Sequence, residues 1–150
     1  MSELKIDQGD WVVICDGRKA LVLQNTGDRK FPNLRTVQVL EHSDPPTHQQ
    51  GTSSPGRVHP SVGTSRSSVE QTDWHDEAER NFLHSLAVRM DTAVKSGQTR
   101  ALIVVAPPRA LGMLRQAYTA HIREALRGEV DKDLVHVPIH DIEKRLFSQE

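Results

Sequence analysis

The chain has 150 residues, of which 36% are hydrophobic and 26% charged, and its formal net charge at pH 7 is −1. This length and composition predict one globular domain that buries a core without disulfides or metal, and they argue against a general positive charge that would attract nucleic acid or a membrane. The single cysteine, Cys15, lies in an apolar run, which predicts a buried thiol in a reducing cytoplasm. Without a signal-peptide pattern or a membrane-length apolar window, the protein is expected not to be exported.

A β-hairpin is the first predicted element. Two apolar runs, at 11–15 and 20–23, are separated by Asp16 and Gly17. The dipeptide Asp-Gly is typical of tight hairpins because both residues tolerate positive φ angles. The two runs are therefore predicted to form antiparallel strands.

A third strand is predicted over residues 35–41, which alternate between apolar and polar. Val37 and Val39 fall on one face of this strand, so that face is expected to be buried. The first forty residues are thus predicted to form a three-stranded antiparallel meander.

Residues 43–72 are dominated by Ser, Thr, Gly and Pro. Such a segment cannot bury enough apolar surface to offset its ordering entropy, so it is predicted to be a long flexible loop inside the domain. Arg57 and Arg66 lie in it with no acidic residue between them. Two interpretations remain open for these arginines: contact with a nucleic-acid backbone, or a solvated linker.

Helical and strand patterns alternate through the second half of the chain. The predicted elements are a helix over 73–95 with Thr72 or Asp73 as its N-cap, a strand over 101–106, a helix over 109–126 closed by Gly128, a strand over 134–137, and a helix over 140–147. Because 101–106 is uninterruptedly apolar, this strand is expected inside the sheet with both faces covered. The order predicts an α/β fold: a mixed sheet in three layers, with the ribonuclease H-like order βββαβαβα.

Signatures of catalysis are weak. A metal-dependent nuclease needs several carboxylates at one divalent ion; Asp16 and Glu77 or Glu79 provide two, but the strand at 101–106 is followed by prolines. The hairpin turn explains Asp16 more simply. No nucleophile elbow, Walker loop or dinucleotide-binding loop is present, and the eight histidines show no recognised ligand spacing. The sequence therefore predicts no catalytic residue, metal or cofactor.

The turn Pro107-Pro108-Arg109 follows the predicted buried strand. Two prolines end a strand without leaving unpaired N–H donors, and Pro108 favours an extended Pro107 before the next helix. This structural interpretation is weighed against a functional one, in which Arg109 binds a phosphate or carboxylate beside the N–H groups at the helix start. Arg115, nearly two turns further on, is expected to face elsewhere.

Five stretches carry a resemblance to a known family: "WVVICDGRKALVL", the Ser/Gly-rich loop, "FLHSLAVRMD", "LIVVAPPRALGMLR" and "DKDLVHVPIHDIEKRL". Over nearly its whole length the chain resembles the bacterial host attachment protein family, whose members are described as required for attachment to host cells. That family is similar to the central domain of archaeal and eukaryotic peptide chain release factors, which carries Gly-Gly-Gln in the loop before its long helix. Here the corresponding loop holds Gln49-Gln50-Gly51 and no Gly-Gly-Gln.

Because the sequence shows no export signal, an indirect cytoplasmic role is expected rather than that of an adhesin. The resemblance leaves three functions open. The first is a non-catalytic protein that binds the ribosome or tRNA. The second is a hydrolase acting on an ester such as peptidyl-tRNA, and the third is a module whose loop at 43–72 folds on a protein partner. The candidate binding residues are Asp16, Arg57, Arg66, Pro107, Pro108 and Arg109.

Overall fold

The computed structural model describes residues 5–42 and 64–147, with the backbone alone for 64–74. Its elements are β1 (Trp11–Cys15), β2 (Lys19–Asn25), β3 (Leu34–Glu41), α1 (Thr64–Lys95), β4 (Leu102–Val105), α2 (Pro108–Gln116), α3 (Ala120–Ala125), β5 (Leu126–Val130) and α4 (Ile139–Phe147). Within these ranges no helix is both long enough and apolar enough to cross a membrane.

The five strands form one mixed sheet in the order β3-β2-β1-β4-β5. β2 pairs antiparallel with both β1 and β3, whereas β4 pairs parallel with both β1 and β5. The predicted mixed α/β sheet is confirmed. Since β1, β4 and β5 run in one direction, the chain leaves all three at one edge, here called the carboxyl edge.

The core lies on both faces of the sheet. β1 and β4 are buried along their whole length, as the apolar run at 101–106 predicted. Val13 and Val104 pack in the cluster that includes α1, whereas Val12 and Ile103 pack in the cluster that includes α4. Cys15 is fully buried, as expected, and this burial raises the pKa of its thiol to about 12.

The long helix begins earlier than the sequence predicts. α1 starts at Thr64, so Thr72 and Asp73 lie inside the helix and neither is its N-cap. The predicted flexible loop is therefore wrong for 64–72, while its remainder, 43–63, lies outside the described residues. Ser and Thr cost only a few tenths of a kcal/mol in a helix, and extending an existing helix avoids the cost of a new nucleus.

The region after β4 also differs from the prediction. Two helices replace the single predicted one, because the Thr119 side chain accepts a hydrogen bond from the Ile122 N–H and starts α3 anew. Gly128 is not a helix cap but lies in β5 opposite Ile103, and 134–137 forms a turn rather than the last strand. Pairing with β4 thus overrides the weak local pattern of Leu-Arg-Gly-Glu-Val. The ribonuclease H-like assignment stays a prediction.

The third strand exposes the face that was expected to be buried. Val37 and Val39 are 46% and 48% exposed. The β2–β3 register shifts between Val22 and Leu23, whose partners are Gln38 and Thr36, so Val37 has no partner on β2. Such a bulge changes which side chains face the core beyond it, and simple alternation cannot predict it.

Candidate functional site at the carboxyl edge

A cavity of about 400 Å³ opens at the carboxyl edge, between the β1–β2 turn, α1 and the start of α2. We call it the carboxyl-edge cleft. Its lining residues are Arg18, His42, His75, Asp76, Ala78, Glu79 and Arg109. In open α/β sheets ligands generally bind outside the carboxyl ends of the parallel strands, so the cleft has the position of a ligand site.

Arg109 joins α2 to α1 across this cleft. Its Nη2 contacts Asp76 Oδ1, and its Nη1 donates a hydrogen bond of 3.2 Å to Glu79 Oε1. Asp76 and Glu79 are three residues apart, so they lie on one face of α1. One guanidinium group is thus held by two carboxylates, while about half of the Arg109 side chain remains exposed.

The two prolines place Arg109 at the start of its helix. Pro107 is extended, with φ −68° and ψ 159°, and Pro108 is the first residue of α2. The Pro107 carbonyl accepts the Leu111 N–H at 2.8 Å. Because proline has no N–H, this start leaves fewer unpaired donors than another residue would. These contacts fit the structural interpretation of the turn, and anion binding by Arg109 stays a prediction.

Gly17 lets the Glu79 side chain lie directly against the β1–β2 turn. A Cβ atom on Gly17 would come within 2.7 Å of Glu79 Cδ and 2.8 Å of Cγ. The φ angle of Gly17 is not positive, contrary to the basis on which the hairpin was predicted. The hairpin itself is confirmed, and its glycine provides space for Glu79 rather than a left-handed backbone.

Asp16 closes the same turn. Its Oδ1 accepts the N–H groups of Arg18 and Lys19 at 2.8 and 2.9 Å, and its Oδ2 lies 3.7 Å from Nε2 of His136. The turn role expected for Asp16 is therefore present, together with an imidazole that the sequence did not connect to it. Across the described ranges, no three His, Cys, Asp or Glu side chains come together as metal ligands.

Arg115 takes part in a different contact. Its Nη2 lies 2.6 Å from Glu129 Oε1, and the Tyr118 hydroxyl donates to Glu129 Oε2 at 2.7 Å. The Arg115 guanidinium and the Tyr118 hydroxyl lower the pKa of Glu129, although partial burial opposes them. Burial, and then the hydrogen bond to Glu129, raise the pKa of Tyr118. Arg115 thus binds β5 and does not line the cleft, as its position in α2 predicted.

A larger cavity, of about 700 Å³, lies at the opposite edge of the sheet, where Gly9, Thr99, Arg100 and His121 contribute to its lining. None of the predicted site residues whose side chains the structure describes, namely Asp16, Pro107, Pro108 and Arg109, lines it. Beside it, the Thr119 hydroxyl donates to Asp91 at 2.6 Å, and this hydrogen bond lowers the pKa of Asp91.

The structure brings together part of the predicted site. Asp16 follows β1 and the Pro107–Arg109 turn follows β4, and these parallel neighbours end at the same edge. Arg57 lies outside the described residues; Arg66 lies on α1, but its side chain is not described.

The acidic partners of Arg109 were not predicted from the sequence. The sequence offers Glu79 only as a candidate metal ligand, and it assigns no role to Asp76. The i, i+3 spacing of these two carboxylates on a helix was the one available signal.

These features define a mixed α/β protein with a polar cleft at the carboxyl edge of its sheet. The chain belongs to the bacterial archaeo-eukaryotic release factor family 12, whose model matches residues 10–146. It is also similar to the uncharacterized protein RP470 of Rickettsia prowazekii (strain Madrid E), with 30% identity over 74 residues. That match covers 49% of this chain and 48% of RP470, so it spans about half the length of the curated relative.

Among solved structures, the crystal structure of the archaeal translation termination factor aRF1 matches 85% of this chain and 32% of that chain. The sequence identity is 12% and the TM-score is 0.45.

Proposed function

We propose that this protein is a non-catalytic, translation-linked binding protein of the cytoplasm, which contacts the ribosome or tRNA through the carboxyl-edge cleft. Membership of the release factor family supports a role in translation. The attachment to host cells that the resemblance implies is proposed to be an indirect consequence of that role.

One observation carries the choice of surface. His42, the last described residue before 43–63, lines the same cleft as Arg109. Its N–H donates to the Arg18 carbonyl at 2.7 Å, and its ring lies 6.2 Å from that of Phe82. The segment that in release factors carries the functional loop therefore begins, in this chain, at the rim of the cleft.

Cosedimentation with bacterial ribosomes and filter binding of bulk tRNA test the proposal, each at about 50 and about 200 mM salt because phosphate contacts weaken as salt rises. We expect salt-sensitive binding that falls in Arg109→Ala. Arg100→Ala is the matched control, since it removes the same charge at the opposite edge of the sheet. A separate variant, with Arg57 and Arg66 changed to Ala, tests whether these two basic residues contribute to binding. Arg57 belongs to the segment 43–63, and Arg66 lies near the start of α1.

Failure of the wild-type protein to bind either partner at low salt would overturn the proposal. Equal losses in Arg109→Ala and Arg100→Ala would show that the cleft is not the contact surface. Binding that is insensitive to salt would instead favour a protein partner of the segment at 43–63.

Ester hydrolysis is a second candidate, favoured by the pairing of Asp16 with His136 at the end of β1. A carboxylate beside an imidazole is an arrangement used in general base catalysis. Peptidyl-tRNA turnover by the wild-type protein, lost in Asp16→Asn, would establish it. The asparagine keeps an oxygen acceptor for the turn, so the variant separates chemistry from folding.

A further inference from the structure

Both terminal guanidinium nitrogens of Arg109 are in contact with carboxylate groups. Two carboxylate groups, from Asp76 and Glu79, contact two different guanidinium nitrogens. Phosphate oxygens bind guanidinium groups in the same way, through charge-assisted hydrogen bonds to adjacent nitrogens. The two acidic side chains therefore stand where a phosphate group would be bound.

The charges that line the cleft lead to the same conclusion. Two guanidinium groups, Arg18 and Arg109, are matched there by the carboxylates of Asp76 and Glu79. The negative charges of Asp76 and Glu79 repel a phosphodiester that approaches Arg109. Both carboxylates must therefore move away from the guanidinium before a phosphate group can bind it.

Replacing the carboxylate contacts of Arg109 with phosphate contacts costs little free energy, because the carboxylate contacts are near the surface. The side chains of Arg109 and Asp76 are 54% and 38% exposed, and that of Glu79 is 25% exposed. Ion pairs with this exposure contribute little to stability, so a ligand with several phosphates can replace them.

We infer that Asp76 and Glu79 act as an internal substitute for phosphate, and that the ligand of the cleft is a phosphodiester of RNA that displaces them from Arg109. This inference rests on the proposed function and names its ligand class. Asp76 and Glu79 are then specificity residues, since a ligand with a single weak anionic group gains too little to displace both carboxylates.

The test measures the affinity for bulk tRNA of the double variant Asp76→Asn, Glu79→Gln. Its matched control is Glu77→Gln, Glu124→Gln, which makes the same change in net charge with one residue on α1 and one at the opposite edge. Releasing Arg109 from two surface pairs should raise affinity about two- to thirtyfold over the control.

Adding Arg109→Ala to the double variant should remove the gain. If the double variant and its control bind alike, or if the gain survives Arg109→Ala, the inference is wrong, while binding by the wild-type protein still supports the proposed function. If neither the wild-type protein nor the double variant binds tRNA or ribosomes, both proposals fail.

Discussion

Replacing Gly17 with alanine is expected to change the carboxyl-edge cleft without unfolding the protein. The new methyl group would lie 2.7 Å from Glu79 Cδ, a distance that real Cβ atoms do not show, so one group must move. The atoms in its way belong to the far end of a flexible side chain. We therefore expect the Glu79 carboxylate to swing away from the turn and to lose its 3.2 Å contact with Arg109.

The expected change in the free energy of unfolding is small because two effects oppose each other. Losing a surface ion pair with this exposure costs about 0.2–1 kcal/mol. Replacing a glycine whose φ is not positive stabilises a protein by about 0.4–1 kcal/mol, because the unfolded chain loses conformational freedom. The two contributions partly cancel, which leaves a net change within about 0.8 kcal/mol.

A double-mutant cycle, measured by urea denaturation, detects the movement of Glu79 directly. In the wild-type background Glu79→Gln should lower the free energy of unfolding by about 0.2–1 kcal/mol, and in the Gly17→Ala background by almost nothing. Gly112→Ala is the control, since a methyl group at this exposed position of α2 meets no atom within 4 Å. Equal effects of Glu79→Gln in both backgrounds, or a loss of more than about 2 kcal/mol in Gly17→Ala alone, would refute the reasoning.

Two further predictions concern the rest of the fold. Val104→Asp should prevent folding, because an unpaired charge in the fully buried strand β4 costs several kcal/mol against a typical stability of about 5–15 kcal/mol. As a control, Val88→Asp, at an exposed position, should melt like the wild-type protein. A cooperative thermal melt of Val104→Asp would show that β4 is misplaced. Hydrogen bonds from Arg29, and to a lesser extent from Arg127, lower the pKa of Asp7 from 3.8 to about 2. Its contribution to stability should therefore be complete above about pH 5 and be lost as the pH falls through 2. An Asp7→Asn variant with an unchanged acid-denaturation profile would contradict this.

The two strands of the hairpin and β4 are the parts of the fold that the sequence predicts best. Apolar runs of four to six residues bounded by turn signals predict them, since their burial depends on local composition. Local composition does not predict β5, where Leu-Arg-Gly-Glu-Val becomes a strand through parallel pairing with β4. Nor does it predict the exposure of Val37, because the bulge at this position depends on how two strands pair.

The candidate site likewise combines features that the sequence predicts with features that depend on the fold. The sequence by itself determined that Asp16 closes a hairpin and that a Pro-Pro-Arg turn follows a buried strand, because both features depend on neighbouring residues. Only the tertiary structure decided that these turns share one edge. It also decided that Arg109 is held by Asp76 and Glu79, which lie 33 and 30 residues before it in the chain. The sequence shows that residue 109 is a positively charged arginine. Whether its guanidinium can bind a ligand depends on which carboxylates the fold brings within hydrogen-bonding distance.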